Sequence, residues 1–250
     1  MIVSHRHRFV FLKTRKTAST SIEVFLRRFC GPEDIVTPVT PIDELVAVAA
    51  GHPPRNFTDD PGRENTYVAD VAAGRLGRAA MFHATSFRFR HHMTMADLRA
   101  ELGGRIDGYF VFTCERHPYD KAISRAGYQL GSGRYLMRGE ARPADPQAAL
   151  DFLDAMVADG SISEIANWPI YAHGDRIVAD AVVRYEDLST GLGAVLRQLG
   201  LESSGNTAGL PFLKKGLRPE GLTRAMLSES CRAAVREACA REFEAFGYAP

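Results

Sequence analysis

The segment 13–21, KTRKTASTS, concentrates residue types that bind anions. Lysine ammonium groups stand beside a run of hydroxyl side chains, and the segment follows the short apolar run 8–13. A loop from a strand into a helix directs backbone N–H groups and the positive end of the helix dipole at one point. The segment therefore predicts an anion site with Lys16 as its full charge. The alternative is a helix cap, in which Thr17 or Ser19 accepts from the first N–H groups.

A second group of polar residues begins at Arg116, just after the aromatic and β-branched run 109–113, YFVFT. A guanidinium at this position can hold a phosphate through two hydrogen bonds. Ser124 adds a hydroxyl if the ligand lies along the helix that follows. The alternative is a surface ion pair of Arg116 with Glu115 or Asp120, worth about 1 kcal/mol or less.

Two strand-loop-helix units must position these groups. The run 109–113 predicts a buried strand and Pro118 the first residue of a helix, as the run 8–13 and the pattern 17–29 do earlier in the chain. Because the carboxyl ends of parallel strands meet at one edge of a sheet, Arg116 and Lys16 are expected to face the same crevice.

The remaining pattern predicts an α/β fold with a central parallel sheet flanked by helices. A third strand is expected over 181–185, and the predicted helices cover 43–50, 94–103, 145–157, 192–199 and 223–246. Thr94 and Asp97 indicate a capping box. The stretch 51–80 is turn-rich and is expected to be a surface excursion. No internal repeat and no linker divides the chain, so one domain over 1–250 is predicted.

Composition limits the partners. The 250 residues hold 31 Lys and Arg against 30 Asp and Glu, a net charge of +1, which argues against nucleic acid as a partner. No apolar run approaches the roughly 20 residues that span a bilayer, and the first residues lack a signal-peptide pattern, so a cytoplasmic protein is expected. The oligomeric state stays open. The four cysteines form no C-x-x-C pair and are predicted to be buried thiols: Cys30, Cys114, Cys231 and Cys239.

Together, the segments 11–21 and 116–124 resemble the nucleotide-binding signature of the PAPS-dependent carbohydrate sulfotransferases, the family of heparan sulfate 2-O-sulfotransferase and its bacterial relatives. FLKTRKTASTS resembles their 5′-phosphosulfate loop, PKTASTS or PKTGGTS, with Arg15 where the family usually has proline. RHPYDKAIS resembles their 3′-phosphate segment, RxPYxRxxS. Weaker matches at HATS (83–86), RYEDL (184–188) and LPFLKKGLR (210–218) extend the likeness over most of the chain.

The resemblance implies a P-loop-like sulfotransferase fold that transfers a sulfuryl group from 3′-phosphoadenosine 5′-phosphosulfate (PAPS) to a hydroxyl, favoured to belong to a carbohydrate or glycan. Lys16 would stabilise the leaving phosphate, and His83 is the candidate base, with a histidine bonded within the core as the alternative. No metal is required. The implied donor-binding residues are Arg15, Lys16, Thr17, Ala18, Ser19, Thr20 and Ser21 at the 5′ side, Arg116 and Ser124 at the 3′-phosphate, and Lys215, Gly216 and Arg218, beside Lys214, in a late loop.

Two other functions stay open. A P-loop kinase would carry glycines, as in GxxxxGK followed by Ser or Thr, and none occurs between residues 13 and 21. Its only candidate for a Mg²⁺ carboxylate is the pair Glu186 and Asp187. The second possibility is a nucleotide-binding module without transferase activity.

His91 and His92 are expected on opposite faces of a strand, which makes them a poor pair of metal ligands. Acceptor choice is expected to reside in 51–80 and 131–142.

Overall fold

A computed structural model describes residues 1–83 and 87–249, with backbone only for His83, Arg134, Met137 and Arg138. Its contacts divide the chain into two compact units. The first unit comprises Met1–Thr14, Ala18–Cys114 and Ile170–Leu213, and the second comprises Arg15–Thr17, Glu115–Pro169 and Lys214–Pro250. The fold is α/β, with a mixed central sheet flanked by helices.

The central sheet has the strand order β3-β1-β2-β4-β7. Its strands are β1 (Ile2–Ser4), β2 (Phe9–Leu12), β3 (Ile35–Val36), β4 (Phe110–Glu115) and β7 (Ala181–Arg184); β5 (Ala172–His173) and β6 (Arg176–Ile177) form a separate antiparallel pair. β2 and β4 are parallel, with Leu12 opposite Thr113, whereas β1 runs antiparallel to β2 and to β3. The prediction of a parallel sheet is therefore correct for β2 and β4 and wrong for β1. Only four residues join β1 to β2, and a link that short makes a hairpin rather than a crossover.

Aromatic packing fixes β2 against β4. Every side chain of β2 is buried, and the ring of Phe112 lies 5.8 Å from that of Phe9 and 5.2 Å from that of Phe11, centroid to centroid. The helices of the first unit are α1 (Ser19–Leu26), α2 (Pro41–Ala49), α3 (Pro61–Ala72), α4 (Leu76–His83), α5 (Met95–Leu102) and α9 (Leu188–Gln198). The apolar faces of α1 and α9 pack on the same core, which places the start of α1 directly after the β2 loop.

The stretch 51–80 is more than the expected surface excursion, since it contains α3 and most of α4. Phe57, Tyr67 and Val71 are fully buried, and the ring of Phe57 meets those of Tyr67 and Phe87 edge to face. The cluster of turn residues over 51–62 obscured Phe57, whereas Tyr67 and Val71, four residues apart on α3, do carry a helical signal. The capping box before α5 is confirmed: Thr94 accepts from the backbone N–H of Asp97, whose carboxylate accepts from the N–H of Thr94.

The second unit is helical. It contains α6 (Pro118–Arg138), α7 (Pro146–Ala158), α10 (Glu229–Ala238) and α11 (Ala240–Phe246), and α8 (Trp168–Tyr171) begins in it. Short 3₁₀ helices occur in the first unit at Arg27–Phe29, Gly103–Ile106 and Tyr185–Asp187, and in the second at Ser161–Ile165 and Arg224–Met226. α6 begins at Pro118, as predicted, and the imidazole of His117 accepts from the N–H of Tyr119. The predicted single helix 223–246 is wrong. Ser228 caps α10, and a non-helical backbone at Cys239 separates α10 from α11.

The cysteines are free thiols, as predicted. Cys114, Cys231 and Cys239 are buried and Cys30 is partly exposed. Burial raises the pKa of Cys231 to about 11, so the thiol is protonated at neutral pH. Among the residues described, no helix has both the length and the apolar character to cross a membrane.

Candidate anion-binding site

One buried side chain holds the loop in front of Lys16. Asn167 accepts a hydrogen bond at Oδ1 from the backbone N–H of Arg15 (2.8 Å) and donates from Nδ2 to the Arg15 carbonyl (3.0 Å). Asn167 is fully buried, and its own N–H donates to Glu242 Oε1 at 2.9 Å. The backbone at Lys16 then takes a left-handed conformation, with φ 63°. The loop is therefore held in place immediately before the lysine.

The same network reaches the loop that carries Arg116. Glu115 Oε1 accepts from the N–H of Arg116 (2.7 Å) and from Asn167 Nδ2 (3.4 Å), and it forms an ion pair with Lys121 Nζ at 2.9 Å. Glu115 and Lys121 are both fully buried. Lys121, inside the segment RHPYDKAIS, is thus a structural cation that fixes Glu115. The Glu115 carboxylate thus connects the backbone of Arg116 to Asn167, the residue that holds Arg15.

Lys16 lies in a cluster of cations. Its Nζ is 4.1 Å from the centre of the Tyr128 ring, and Lys214 Nζ is 5.2 Å from the same centre. Burial, followed by the positive charges of Lys214, Arg125 and Arg116, lowers the pKa of Lys16 from 10.5 to about 7. Within the described residues, no hydrogen bond or carboxylate ion pair reaches the Lys16 ammonium. Such a group is suited to an external anion, which would offset the mutual repulsion.

The late segment 214–218 packs against α6. A Cβ at Gly127 would lie 2.4 Å from the Leu217 carbonyl oxygen and 2.7 Å from Pro219 Cδ, so only glycine admits this approach. Lys214 is half-buried and belongs to the cluster, whereas Lys215 and Gly216 are exposed. Among the residues of this segment, Lys214 rather than Lys215 therefore meets the other cations.

Arg218 anchors the segment. Its Nη2 donates to Asp120 Oδ1 at 2.8 Å, and Arg224 Nε donates to Asp120 Oδ2 at 2.9 Å. Burial by itself would raise the pKa of Asp120, but the hydrogen bonds from Arg224 and Arg218 and the charge of Arg116 lower it below its usual value. The guanidinium predicted to bind the nucleotide thus pairs with a carboxylate. Its Nη1 is buried and makes no hydrogen bond among the described residues.

Arg125 and Ser124 on α6 are two further hydrogen-bond donors of the second unit. Arg125 pairs through Nη2 with Glu164 Oε2 at 3.0 Å, while its Nε is buried and makes no hydrogen bond among the described residues. Ser124 is half-buried on α6. Asp120, Ser124 and Tyr128 are spaced four residues apart and share one face of α6. The Ser124 hydroxyl therefore lies on α6 between Asp120, which pairs with Arg218, and the Tyr128 ring, which contacts the lysines.

The predicted loop continues from Thr17, the last of its residues in the second unit, to residues 18–21 in the first. The N-cap of α1 is Ala18, with φ 59° and no side-chain capping bond among the described residues, so neither Thr17 nor Ser19 occupies the N-cap position. The Ser19 hydroxyl donates instead to the Thr14 carbonyl, and the Ser21 hydroxyl accepts from the N–H of Leu213. Thr17 is buried, and Ala18 and Thr20 are partly exposed. Lys13 lies outside the site, since its Nζ pairs with the buried Glu23 at 2.7 Å.

The structure describes the side chains of His91 and His92 but not that of His83, the candidate base. His83 ends α4, but its side chain and the following residues 84–86 lie outside the described part of the structure, so the candidate base stays a prediction. His91 and His92 lie in a turn, not a strand, with ring centroids 4.8 Å apart, and His92 Nδ1 donates to the Lys13 carbonyl at 2.7 Å. The described residues contain no group of three or more His, Cys, Asp or Glu side chains arranged to hold a metal ion. Glu186 and Asp187 are exposed.

Several residues of this site escape sequence reasoning. Asn167 lies 152 residues from its partner Arg15, and no local pattern links them. Gly127 and Tyr128 do carry a signal: they follow Asp120 by two helical turns, on the face of α6 where Ser124 was expected to act. Arg125 has no comparable signal.

Comparison with protein-family models, with curated proteins and with solved structures found no match to this chain. The fold and the cation cluster therefore describe the molecule as an α/β protein whose second unit gathers cations around a half-buried lysine.

Proposed function

We propose that this protein is a sulfotransferase that moves a sulfuryl group from PAPS to a hydroxyl of a carbohydrate or glycan. The observation that supports it most is the gathering of Lys16, Arg116, Arg125 and Lys214, with no carboxylate on Lys16 in the described residues. The resemblance of 11–21 and 116–124 to the donor-binding segments of sulfotransferases supports a nucleotide with charged groups at both its 5′ and 3′ positions as the ligand of this cluster.

The chemistry suits these residues. Sulfuryl transfer, like phosphoryl transfer, needs in-line positioning and stabilisation of charge on the leaving oxygen, and little covalent work by the protein. Lys16 would bind the bridging oxygen of the phosphosulfate, with backbone N–H groups and hydroxyls of 17–21 around it. Arg116 and Ser124 would hold the 3′-phosphate, which separates this donor from an ordinary nucleotide.

The same arrangement determines the protonation state of Lys16 with and without a bound donor. Three positive neighbours and burial favour its neutral form, and a phosphosulfate or bisphosphate beside it favours the ammonium. Donor binding above pH 7 would therefore take up a proton, and Lys16 would be charged when the leaving oxygen develops its negative charge.

Calorimetry tests the donor. The protein should bind 3′-phosphoadenosine 5′-phosphate at least about tenfold more tightly than ATP with Mg²⁺, since a bound phosphate makes hydrogen bonds of about 1.5–3 kcal/mol to charged groups. Lys16→Ala should weaken bisphosphate binding, and Arg99→Ala, which removes an exposed charge on α5, should not. Preference for ATP with Mg²⁺ would favour the kinase alternative and overturn the proposal.

Transfer tests the reaction. Radiolabelled PAPS and a panel of oligosaccharides should yield a labelled acceptor with the parent protein and none with Lys16→Ala. Normal bisphosphate binding without transfer to any saccharide, lipid-linked glycan, small metabolite or peptide would indicate a nucleotide-binding module instead.

A further inference from the structure

Tyr128 is shared by two lysines. The ring centre lies 4.1 Å from Lys16 Nζ and 5.2 Å from Lys214 Nζ, and all three residues belong to the second unit. Tyr128 is half-buried on α6. The face of an aromatic ring carries partial negative charge and attracts ammonium groups, the more strongly when they are partly removed from water.

The ring opposes a strong repulsion. Lys214, Arg125 and Arg116 are the charged groups that act on Lys16, all of them positive, and burial adds to their effect. Arg125 is partly neutralised by Glu164, an ion pair at 3.0 Å. Lys16 has no such partner in the described residues, so the Tyr128 ring is the group beside it that favours the charged form.

We propose that Tyr128 is a positioning residue of the anion site: its ring stabilises the ammonium group of Lys16 against the neighbouring cations and holds it beside that of Lys214, so that both reach one anion. The inference rests on the proposed function for the identity of that anion. It gives an aromatic residue on α6, outside every recognised segment of the sequence, a part in donor binding.

Two substitutions distinguish the effect of the aromatic face of Tyr128 from the effect of its apolar bulk. Tyr128→Phe keeps the aromatic face and should behave like the parent protein. Tyr128→Leu keeps an apolar side chain of lesser volume without that face. Thermal unfolding and far-ultraviolet circular dichroism of both variants establish that the fold is intact.

The first measurement needs no ligand. Competitive acetylation across pH, quantified by mass spectrometry, measures the pKa of each lysine. In Tyr128→Leu the pKa of Lys16 should fall below its parent value, because loss of the ring removes a stabilisation of the ammonium, while Tyr128→Phe should leave it unchanged. An unchanged Lys16 pKa in Tyr128→Leu overturns the inference.

The second measurement is affinity for 3′-phosphoadenosine 5′-phosphate between pH 6 and pH 9. Tyr128→Leu should lose affinity about tenfold at pH 8 and about threefold at pH 6, because a lysine that titrates lower must take up a proton over more of the range. A loss that is equal at every pH indicates a merely structural role and counts against the inference. Failure of the parent protein to bind the bisphosphate defeats the proposed function instead, and the acetylation result still decides the role of Tyr128.

Discussion

The side chain of Asn167 hydrogen-bonds both backbone groups of Arg15: it accepts from the Arg15 N–H at 2.8 Å and donates to the Arg15 carbonyl at 3.0 Å. A primary amide is suited to this task because it offers one acceptor and two donors. The loop before Lys16 is therefore held from 152 residues away, with the buried Glu115 and Glu242 behind it.

Asn167→Ala should loosen that loop. The backbone N–H and carbonyl of Arg15 lose their partner and Glu115 loses one of three, so the free energy of unfolding should fall by about 1–3 kcal/mol and bisphosphate affinity by about tenfold. Urea denaturation and calorimetry measure the two quantities. Asn167→Asp should not rescue either, since a carboxylate would face the Arg15 carbonyl and Glu115. Full rescue by Asp would show that the donor N–H of Asn167 is unimportant.

Lys16→Met should stabilise the protein while abolishing anion binding. The lowered pKa means that the folded state resists protonation of Lys16, so removal of the charge at pH 6 should raise the free energy of unfolding by about 1–3 kcal/mol, allowing for solvent screening. The destabilisation by Lys16 is complete below about pH 7 and fades as the pH rises towards 10.5, its value in the unfolded chain. The difference between Lys16→Met and the parent protein should therefore shrink from pH 6 to pH 9. A gap that widens with pH would contradict the assigned charge.

Arg116→Ala should remove the preference for a 3′-phosphate. The affinity for 3′-phosphoadenosine 5′-phosphate should fall by about 10- to 100-fold, as for a lost hydrogen-bonded charge, while the affinity for adenosine 5′-monophosphate should change little. Parallel titrations with the two nucleotides provide the comparison. Equal losses for both would move Arg116 to the 5′ side of the ligand.

Gly127→Ala should displace the late segment. The added methyl would lie 2.4 Å from the Leu217 carbonyl oxygen, so unfolding should become easier by about 1–3 kcal/mol and Lys214 should leave the cluster, with weaker bisphosphate binding. Gly133→Ala is the matched control on α6, since its Cβ meets nothing within 4 Å, and it should stabilise the helix by up to about 1 kcal/mol. Two variants of equal stability would show that the close approach at Gly127 is unimportant.

His83→Ala should spare donor binding and lower turnover, because a general base acts on the acceptor and contributes about 100-fold or more. Calorimetry with the bisphosphate and initial rates with an identified acceptor separate the two effects. Loss of donor affinity in this variant would place His83 at the nucleotide.

Much of the fold could be predicted because its signals are local. The strands β2 and β4, the proline that opens α6 and the capping box of α5 depend on neighbours in sequence, through apolar runs, fixed φ and reciprocal hydrogen bonds. The hairpin of β1 and the break at Cys239 were not predicted, since a three-residue strand gives no periodic signal and no glycine or proline marks the end of α10.

Residue types and spacing alone identify the groups that could bind an anion, namely Lys16, Arg116 and Ser124, which follow two strands of one α/β sheet. The long-range contacts of the fold set which cations pair with a carboxylate and which gather around Lys16. Lys13 and Lys121 are neutralised by Glu23 and Glu115, Arg218 pairs with Asp120, and Lys214 joins Lys16 over Tyr128. The physical reason is that the fate of a charge depends on the distance to its partner and on burial, and both are set by residues that lie far apart in the chain.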